Sequence, residues 1–471
     1  MILFLLPLLV RVISYKPDHF NGDEFITGFF SGTYDFAKTN FFSPIPSDRG
    51  EWVSQFPSLF FAIQKIIFLI FGENLTAIRI SILPYVFIVV MMLFFITRRL
   101  FDTKVAAIAV VLYSFFAPSL YLETLGLHFI SSTAVFLVFF YFLVENMNRN
   151  DNKSAILQGV ACGFCYLFYT SSYIALPIMC LVFYIRFILK SEIIIVKNFI
   201  LAITAFAIIM SPFFVSMYRN NNVYLTQRIK QVNLVNGTWS PFKKEVEKGK
   251  SILEIVKDNF IVSFQSLYRD GLIGDKGLNF GNLALLNKTS LLFFIAGALG
   301  SLFSIKKKEI LLTWFVILVS FIAGMVLTIP PPPFHRFSVA FPFLVLIMSI
   351  FFHNFLAWKF STRRIRLFIV IIFLAIYSLT SYAYFLRQTS LNADQSIHLA
   401  NYVGKNFQNR NIYIASFPSY HLKKIFYFFP QKNMKEAIVD YPQNLLSTFN
   451  SKEPYLYVIH SSKEFNRKFQ K

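Results

Sequence analysis

Residues 77–97 read AIRISILPYVFIVVMMLFFIT and run directly into Arg98, Arg99, Leu100, Phe101 and Asp102. Past Arg79 the stretch carries no charge. Roughly 20 apolar residues at about 1.5 Å per residue are what a helix needs to cross about 30 Å of hydrocarbon. The arginine pair that follows is the flank expected at a cytoplasmic boundary. Comparable runs occupy 2–15, 105–120, 129–144, 154–170, 173–189, 199–217, 290–305, 311–329, 337–355 and 367–386. Together they predict an all-α polytopic membrane protein with about eleven transmembrane helices, several of them short. A further apolar run, 57–71, begins with Pro57 among polar residues and reads as an interfacial or re-entrant helix. The first run has no small-residue cleavage site after it, so it is expected to be a retained helix rather than a signal peptide.

Composition agrees: 56% of the 471 residues are hydrophobic, 15% are charged and 60 are Phe, with a mean hydropathy of +0.56. A soluble core cannot hide that much apolar surface. The formal net charge of +21 would suggest nucleic acid in a soluble protein. Here the basic residues sit in short links between apolar runs, which makes the charge topological and excludes nucleic acid as the expected partner. Cys162, Cys165 and Cys180 all fall inside apolar segments. Their C-x-x-C spacing lacks the second pair or the His partners of a zinc site, so they are expected to pack as small hydrophobes.

Alternate links carry the cations: Arg98, Arg99 and Lys104; Arg149 and Lys153; Arg186, Lys190 and Lys197; Lys306, Lys307 and Lys308; Lys359, Arg363, Arg364 and Arg366. Those links are predicted to be cytoplasmic. The long loops 16–57 and 218–289 then face outward, as does everything after the last span. Residues 1–386 form the expected membrane domain. In 387–471 charge density rises and 411–416 and 455–460 alternate like strands, while 394–406 has helical spacing. This stretch is predicted to be a small soluble extracytoplasmic α/β domain. Pro330 to Pro333 stiffen an outer link just before Arg336.

Within the first outer loop stand His19, Phe20, Asn21, Gly22, Asp23, Glu24 and Phe25. Adjacent carboxylates raise each other's proton affinity, and near a low-dielectric surface one of them can act as a general base. Taken alone, such a pair in an outer loop is usually plain solvated charge. Glu123 and His128 share an outer link and either bind a metal or the acceptor, or are ordinary interfacial residues. No Walker loop, dinucleotide fingerprint, His-Glu-x-x-His or nucleophile elbow occurs.

The order of these features resembles the GT-C glycosyltransferases that use polyprenyl-phosphate sugars, the class of the protein O-mannosyltransferases and lipid A aminoarabinose transferases. Asp23-Glu24 after the first helix, then Pro57 to Phe71-Gly72-Glu73 and Arg79, carry the resemblance. So do Leu100-Phe101-Asp102, Ala117-Pro118-Ser119, the outer stretches 228–236 and 265–277 with Asn279, and His335-Arg336-Phe337 with Pro342. The link around Glu123 departs from the more polar segment of many relatives. The resemblance implies a GT-C-like fold and inverting transfer from a polyprenyl-phosphate hexose or pentose to a protein, lipid or glycan acceptor. It implies Asp23 as base and Glu24 as its helper, with donor phosphate held by Arg336 and by His335, Arg228 and Arg79. A divalent metal is compatible with it, and the expected setting is the plasma membrane of a prokaryote. The alternatives are a lipid-linked glycan flippase or transporter, which calls for ionisable groups at mid-membrane, and a polysaccharide polymerase or ligase.

Overall fold

The computed structural model describes residues 2–15, 22–43, 53, 57–219, 245–272, 283–303, 308–328, 332–358 and 362–391, and the strand segments 411–415, 438–439 and 455–459. Helix starts are written locally in the sequence. The side chains of Asn74, Asp102, Asp151 and Asn287 each accept a backbone N–H one turn ahead, and Ser251 with Glu254 closes a capping box. Between Phe129–Arg149 and Asn152–Cys165 the turn is made by two residues. Asn150 takes φ 55° to end one helix, and Asp151 caps the next.

In chain order the helices are α1 Ile2–Ser14, α2 Gly22–Gly32, α3 Leu59–Phe71, α4 Leu75–Ile80, α5 Leu83–Leu100, α6 Thr103–Phe115, α7 Ala117–Glu123, α8 Phe129–Arg149 and α9 Asn152–Cys165. They continue as α10 Ala175–Lys190, α11 Ile193–Arg219, α12 Ile252–Gln265, α13 Lys288–Leu302, α14 Lys308–Phe321, α15 Phe341–Ala357 and α16 Arg363–Leu391. Among the described residues seven helical stretches are long and apolar enough to span a membrane, and α6 with α7 makes an eighth if the bent pair counts as one. The expectation of about eleven adds the shorter helices α1, α9 and α13. Leu59–Phe71, read as interfacial or re-entrant, is a short apolar helix with Phe60, Phe61 and Phe68 buried and Leu69 and Ile70 exposed.

Helix α15 is the axis of the bundle, buried from Phe341 to Ile350, with α6, α13, α14 and α16 packed against it. Helix α9 lies against α8 and α11, and α1 lies against α5 and α6. The long loop expected over 218–289 contains α12, whose Asn259 and Ser263 side chains donate to the carbonyls of Val326 and Met325. In the tail, β1 Asn411–Ala415 pairs in parallel with β2 Ile438–Val439 and β3 Tyr455–Ile459, in the order β2-β1-β3. The two alternating stretches thus are strands, whereas the helix expected over 394–406 lies outside the described residues.

One ion pair sits at the centre of the N-terminal half. Helices α6 and α7 meet at a bend of 60°. Pro118 has no N–H, so the carbonyl of Ser114 loses the partner it would have in a continuous helix. The Arg11 guanidinium supplies one at 2.6 Å, and also donates to the carbonyl of Tyr113 at 3.2 Å and to the Ser119 hydroxyl at 3.3 Å. Its charge is met by Glu123 at 2.7 Å, and the Tyr113 hydroxyl donates to the same carboxylate. Both ionic groups are fully buried.

Removing one member of such a pair strands a buried charge, at about 3–5 kcal/mol. Arg11→Met and Glu123→Leu are therefore each expected to lower thermal stability sharply in detergent. The double variant regains part of the loss only, because the Ser114 carbonyl stays uncapped. Thermal unfolding followed by size-exclusion checks this, and additive losses in the double variant would sink it.

Candidate active site

Asp23 and Glu24 do not lie in an open loop as expected; they form the first turn of α2, where the helix dipole favours carboxylates. Successive helical residues diverge by roughly 100°, so the two neighbours have different surroundings. Asp23 is half-buried and Glu24 fully buried. Glu24 Oε1 accepts the Gly126 N–H at 2.7 Å and faces Arg79 Nε at 3.5 Å. Arg79, expected among the phosphate ligands, is thus opposite Glu24. Its guanidinium lies 5.7 Å from the centroid of the Tyr15 ring, and its carbonyl accepts the Tyr15 hydroxyl at 2.9 Å.

The approach of the 124–128 link depends on Gly126. A Cβ there would come within 2.0 Å of Ile78 Cγ2 and 3.0 Å of the Ile78 carbonyl. Gln64 knits the same corner together: its side-chain nitrogen donates to Ser81 Oγ at 2.8 Å, and its oxygen accepts from Ser31 at 2.6 Å. Glu24 is consequently a fixed part of the scaffold, while Asp23 beside it keeps partial access.

Two residues further on, His128 enters a group of rings with centroids 4.7 Å from Phe129, 4.7 Å from Tyr169 and 5.9 Å from Phe60. His335 joins the group 4.8 Å from Phe129. Its neighbour Arg336 lines a cavity of about 270 Å³ together with Thr170, Ser171, Tyr173, Ser320 and Thr328. Directly beyond α14 the chain makes one π turn, Ile322–Val326, a distortion found often at functional sites. Its Gly324 lets the Arg336 backbone close in, since a Cβ would stand 2.6 Å from the Arg336 carbonyl oxygen.

From Glu24 through Gly126, His128 and Tyr169 to His335 and Arg336, four of the sequence-selected residues with their neighbours form a chain of polar and aromatic contacts. Glu123 does not join those contacts, because Arg11 and Tyr113 hold it. Of the two readings left open at that position, ligand or ordinary residue, this buried pairing supports the second. Arg228 and Asn279 lie outside the described residues. Among the described residues no three His, Cys, Asp or Glu side chains cluster as metal ligands do. Arg11 is the residue the sequence reading missed. A lone Arg in a short apolar run, with Pro118 and Glu123 in a later one, was the available signal.

The helical architecture defines a multispan membrane protein of the GT-C fold. It superposes on ArnT from Cupriavidus metallidurans bound to undecaprenyl phosphate with a TM-score of 0.60 and 11% identity, covering 100% of this chain and 94% of that one. The apo oligosaccharyltransferase of Archaeoglobus fulgidus is similar with a TM-score of 0.54 and 13% identity, over 94% of this chain and 60% of that one. The family model described as dolichyl-phosphate-mannose-protein mannosyltransferase matches residues 55–215, a stretch that contains Arg79, Glu123 and His128. No curated protein matches the chain in sequence.

Glu24→Gln and Arg79→Gln are each expected to destabilise the protein, and the double variant by less than their sum. Contacting charged groups couple by about 0.5–3 kcal/mol, and a double-mutant cycle on thermal unfolding reads the difference. Strict additivity would mean that the two side chains do not interact.

Proposed function

We propose that the protein transfers a sugar from a polyprenyl-phosphate donor to an acceptor hydroxyl on the extracytoplasmic face of the membrane. The observation that carries this reading is the division of labour in the first turn of α2: Glu24 is locked by Arg79 and the Gly126 N–H, and Asp23 stays accessible. Beside it stand the family match over residues 55–215 and the fold shared with a protein solved with undecaprenyl phosphate.

In this reading Asp23 takes the proton of the acceptor hydroxyl as its oxygen attacks the anomeric carbon. The bond from that carbon to the phosphate oxygen breaks, and polyprenyl phosphate leaves with its electrons. Inversion at the anomeric carbon follows from the single displacement. Arg336 holds the leaving phosphate in the cavity with the Thr170 and Ser171 hydroxyls, because a guanidinium fork matches phosphate oxygens and stabilises charge that grows as the bond breaks. His335 sets the Arg336 backbone by packing on Phe129. Glu24 keeps α2 in place through Arg79 and the Gly126 N–H. Arg228 in the outer loop is a second contact for the phosphate. The acceptor is a protein, lipid or glycan hydroxyl. The membrane is the plasma membrane of a prokaryote, and residues 387–471 form a small soluble domain on its extracytoplasmic side.

Transport of the lipid-linked sugar is the weaker reading. The buried ionic groups Arg11 and Glu123 are fully engaged with each other and with the α6–α7 break, rather than lining a passage.

A positioned base contributes 10²–10⁴-fold on typical enzymes. Asp23→Asn is expected to reduce transfer by roughly that factor with donor affinity retained, measured in proteoliposomes supplied with a panel of polyprenyl-phosphate sugars. Near wild-type transfer by Asp23→Asn would remove the chemical basis of the proposal. Arg336→Ala is expected to weaken donor binding by far more than Arg336→Lys, which keeps the charge and loses the fork. Similar small effects for both would assign Arg336 to anchoring at the interface.

Orientation has its own measurement. Cysteines introduced at Asn236 and Asn433 are expected to react with an impermeant reagent from outside, and one at Lys307 is not. The reverse pattern would put the site on the wrong face.

A further inference from the structure

A second cavity, of about 500 Å³, lies at the opposite end of the helices that frame the Arg336 cavity. Arg336 stands beside the π turn that follows α14, whereas this cavity is lined by the start of α14 and the end of α10. The 19 residues Lys308–Val326 separate the two ends by roughly 28 Å, about one hydrocarbon thickness.

Its walls are apolar, with Leu181, Val182, Leu312 and Phe315 among them, and its rim is cationic, with Arg186, Lys190 and Lys308. Arg186 is half-buried and donates to Asn150 Oδ1 at 2.9 Å; Lys308 donates to the Met147 carbonyl at 3.1 Å. Among the acidic groups of this end, Glu192 pairs with the rim's own Lys190, so the rim carries three cations against this one carboxylate, and the others are engaged by neighbouring side chains. Glu145 pairs with Arg99 and Arg149, Glu309 accepts from Asn148, and Glu192 lies 3.8 Å from Lys190 at a solvated position. Three cations of one sign therefore ring the mouth of an apolar pocket, at the depth where a bilayer changes from acyl chain to headgroup. Lys306 and Lys307 precede Lys308 in the sequence.

We propose that this cavity is a binding site for an anionic glycerophospholipid of the cytoplasmic leaflet, with an acyl chain in the pocket and the phosphate between Arg186, Lys190 and Lys308. Charge complementarity selects this occupant. A zwitterionic lipid brings its own cation to the same rim, and basic residues near a membrane surface attract anionic lipid additively. The site is separate from donor binding and does not depend on the proposed chemistry.

The test is native mass spectrometry of the full chain released from micelles holding equimolar phosphatidylglycerol and phosphatidylcholine. Wild type is expected to retain phosphatidylglycerol in preference by on the order of tenfold. The triple variant Arg186→Gln, Lys190→Gln, Lys308→Gln should lose that preference. Leu311→Trp, which alters an exposed lining position and leaves the charges intact, should reduce bound lipid of both kinds, and it decides the matter if the triple variant does not fold. No preference in wild type, or the same preference in the triple variant, would overturn the proposal. So would displacement of the lipid by an equal amount of undecaprenyl phosphate, which would make the occupant a polyprenyl carrier.

Discussion

The Arg11 guanidinium is the fixed point of the N-terminal half. A helix bent by 60° inside a membrane leaves carbonyls that neither water nor lipid can satisfy. Arg11 satisfies the carbonyl of Ser114, adds a donor to that of Tyr113, and has its charge balanced by Glu123 at the far end of the same bend. The bend is what turns the chain from α6 into the short link over Ile78. That link presents the Gly126 N–H to Glu24 and His128 to the aromatic group. If Arg11 were apolar, neither the bend nor the position of the link would be secured. The energetic argument runs in one direction: a buried pair of this kind adds little stability over a well-packed apolar core, yet losing half of it is severe. Its value here is geometric, because it specifies where the chain turns.

The polar residues of the site are held in the same manner, from behind. Glu24, Arg79, Gln64, Ser31 and Ser81 form a buried set along α2, from Glu24 in its first turn to Ser31 in its last. On the other side, the π turn at Ile322–Val326 is braced by Asn259 and Ser263 of α12, so the cavity around Arg336 has a rigid wall. Two such braces fix the surroundings of the half-buried Asp23 and of the Arg336 cavity separately. Preorganisation of this type is what electrostatic stabilisation of a leaving phosphate requires.

Charge is distributed along the membrane normal with the same economy. Basic side chains gather at one end of the bundle, where Glu145 ties Arg99 to Arg149 and Arg186, Lys190 and Lys308 surround the second cavity. The same basic residues that the positive-inside rule reads as topological thus also line a cavity.

Local pattern alone determined the spans, their basic flanks, the helix caps at Asp102, Asp151 and Asn287, and the two five-residue strands of the tail, since hydropathy, capping and alternation are properties of neighbouring residues. It also drew attention to the adjacent carboxylates Asp23-Glu24, while His335 and Arg336 were singled out through the family resemblance. What it could not supply was which of two adjacent carboxylates turns inward, because that is settled by Arg79 and Gly126, distant in sequence. For the same reason Glu123 read as a candidate ligand: its partner Arg11 lies 112 residues away, and nothing local links them. The helix at 252–265 lies inside what the sequence reads as one long loop although Ser251 and Glu254 mark its start locally; what tertiary structure decides is its seat against a π turn more than sixty residues downstream. Pairing of buried charges and capping of broken helices are decided by tertiary structure, because a membrane interior provides no solvent and each such group must find its partner from another helix.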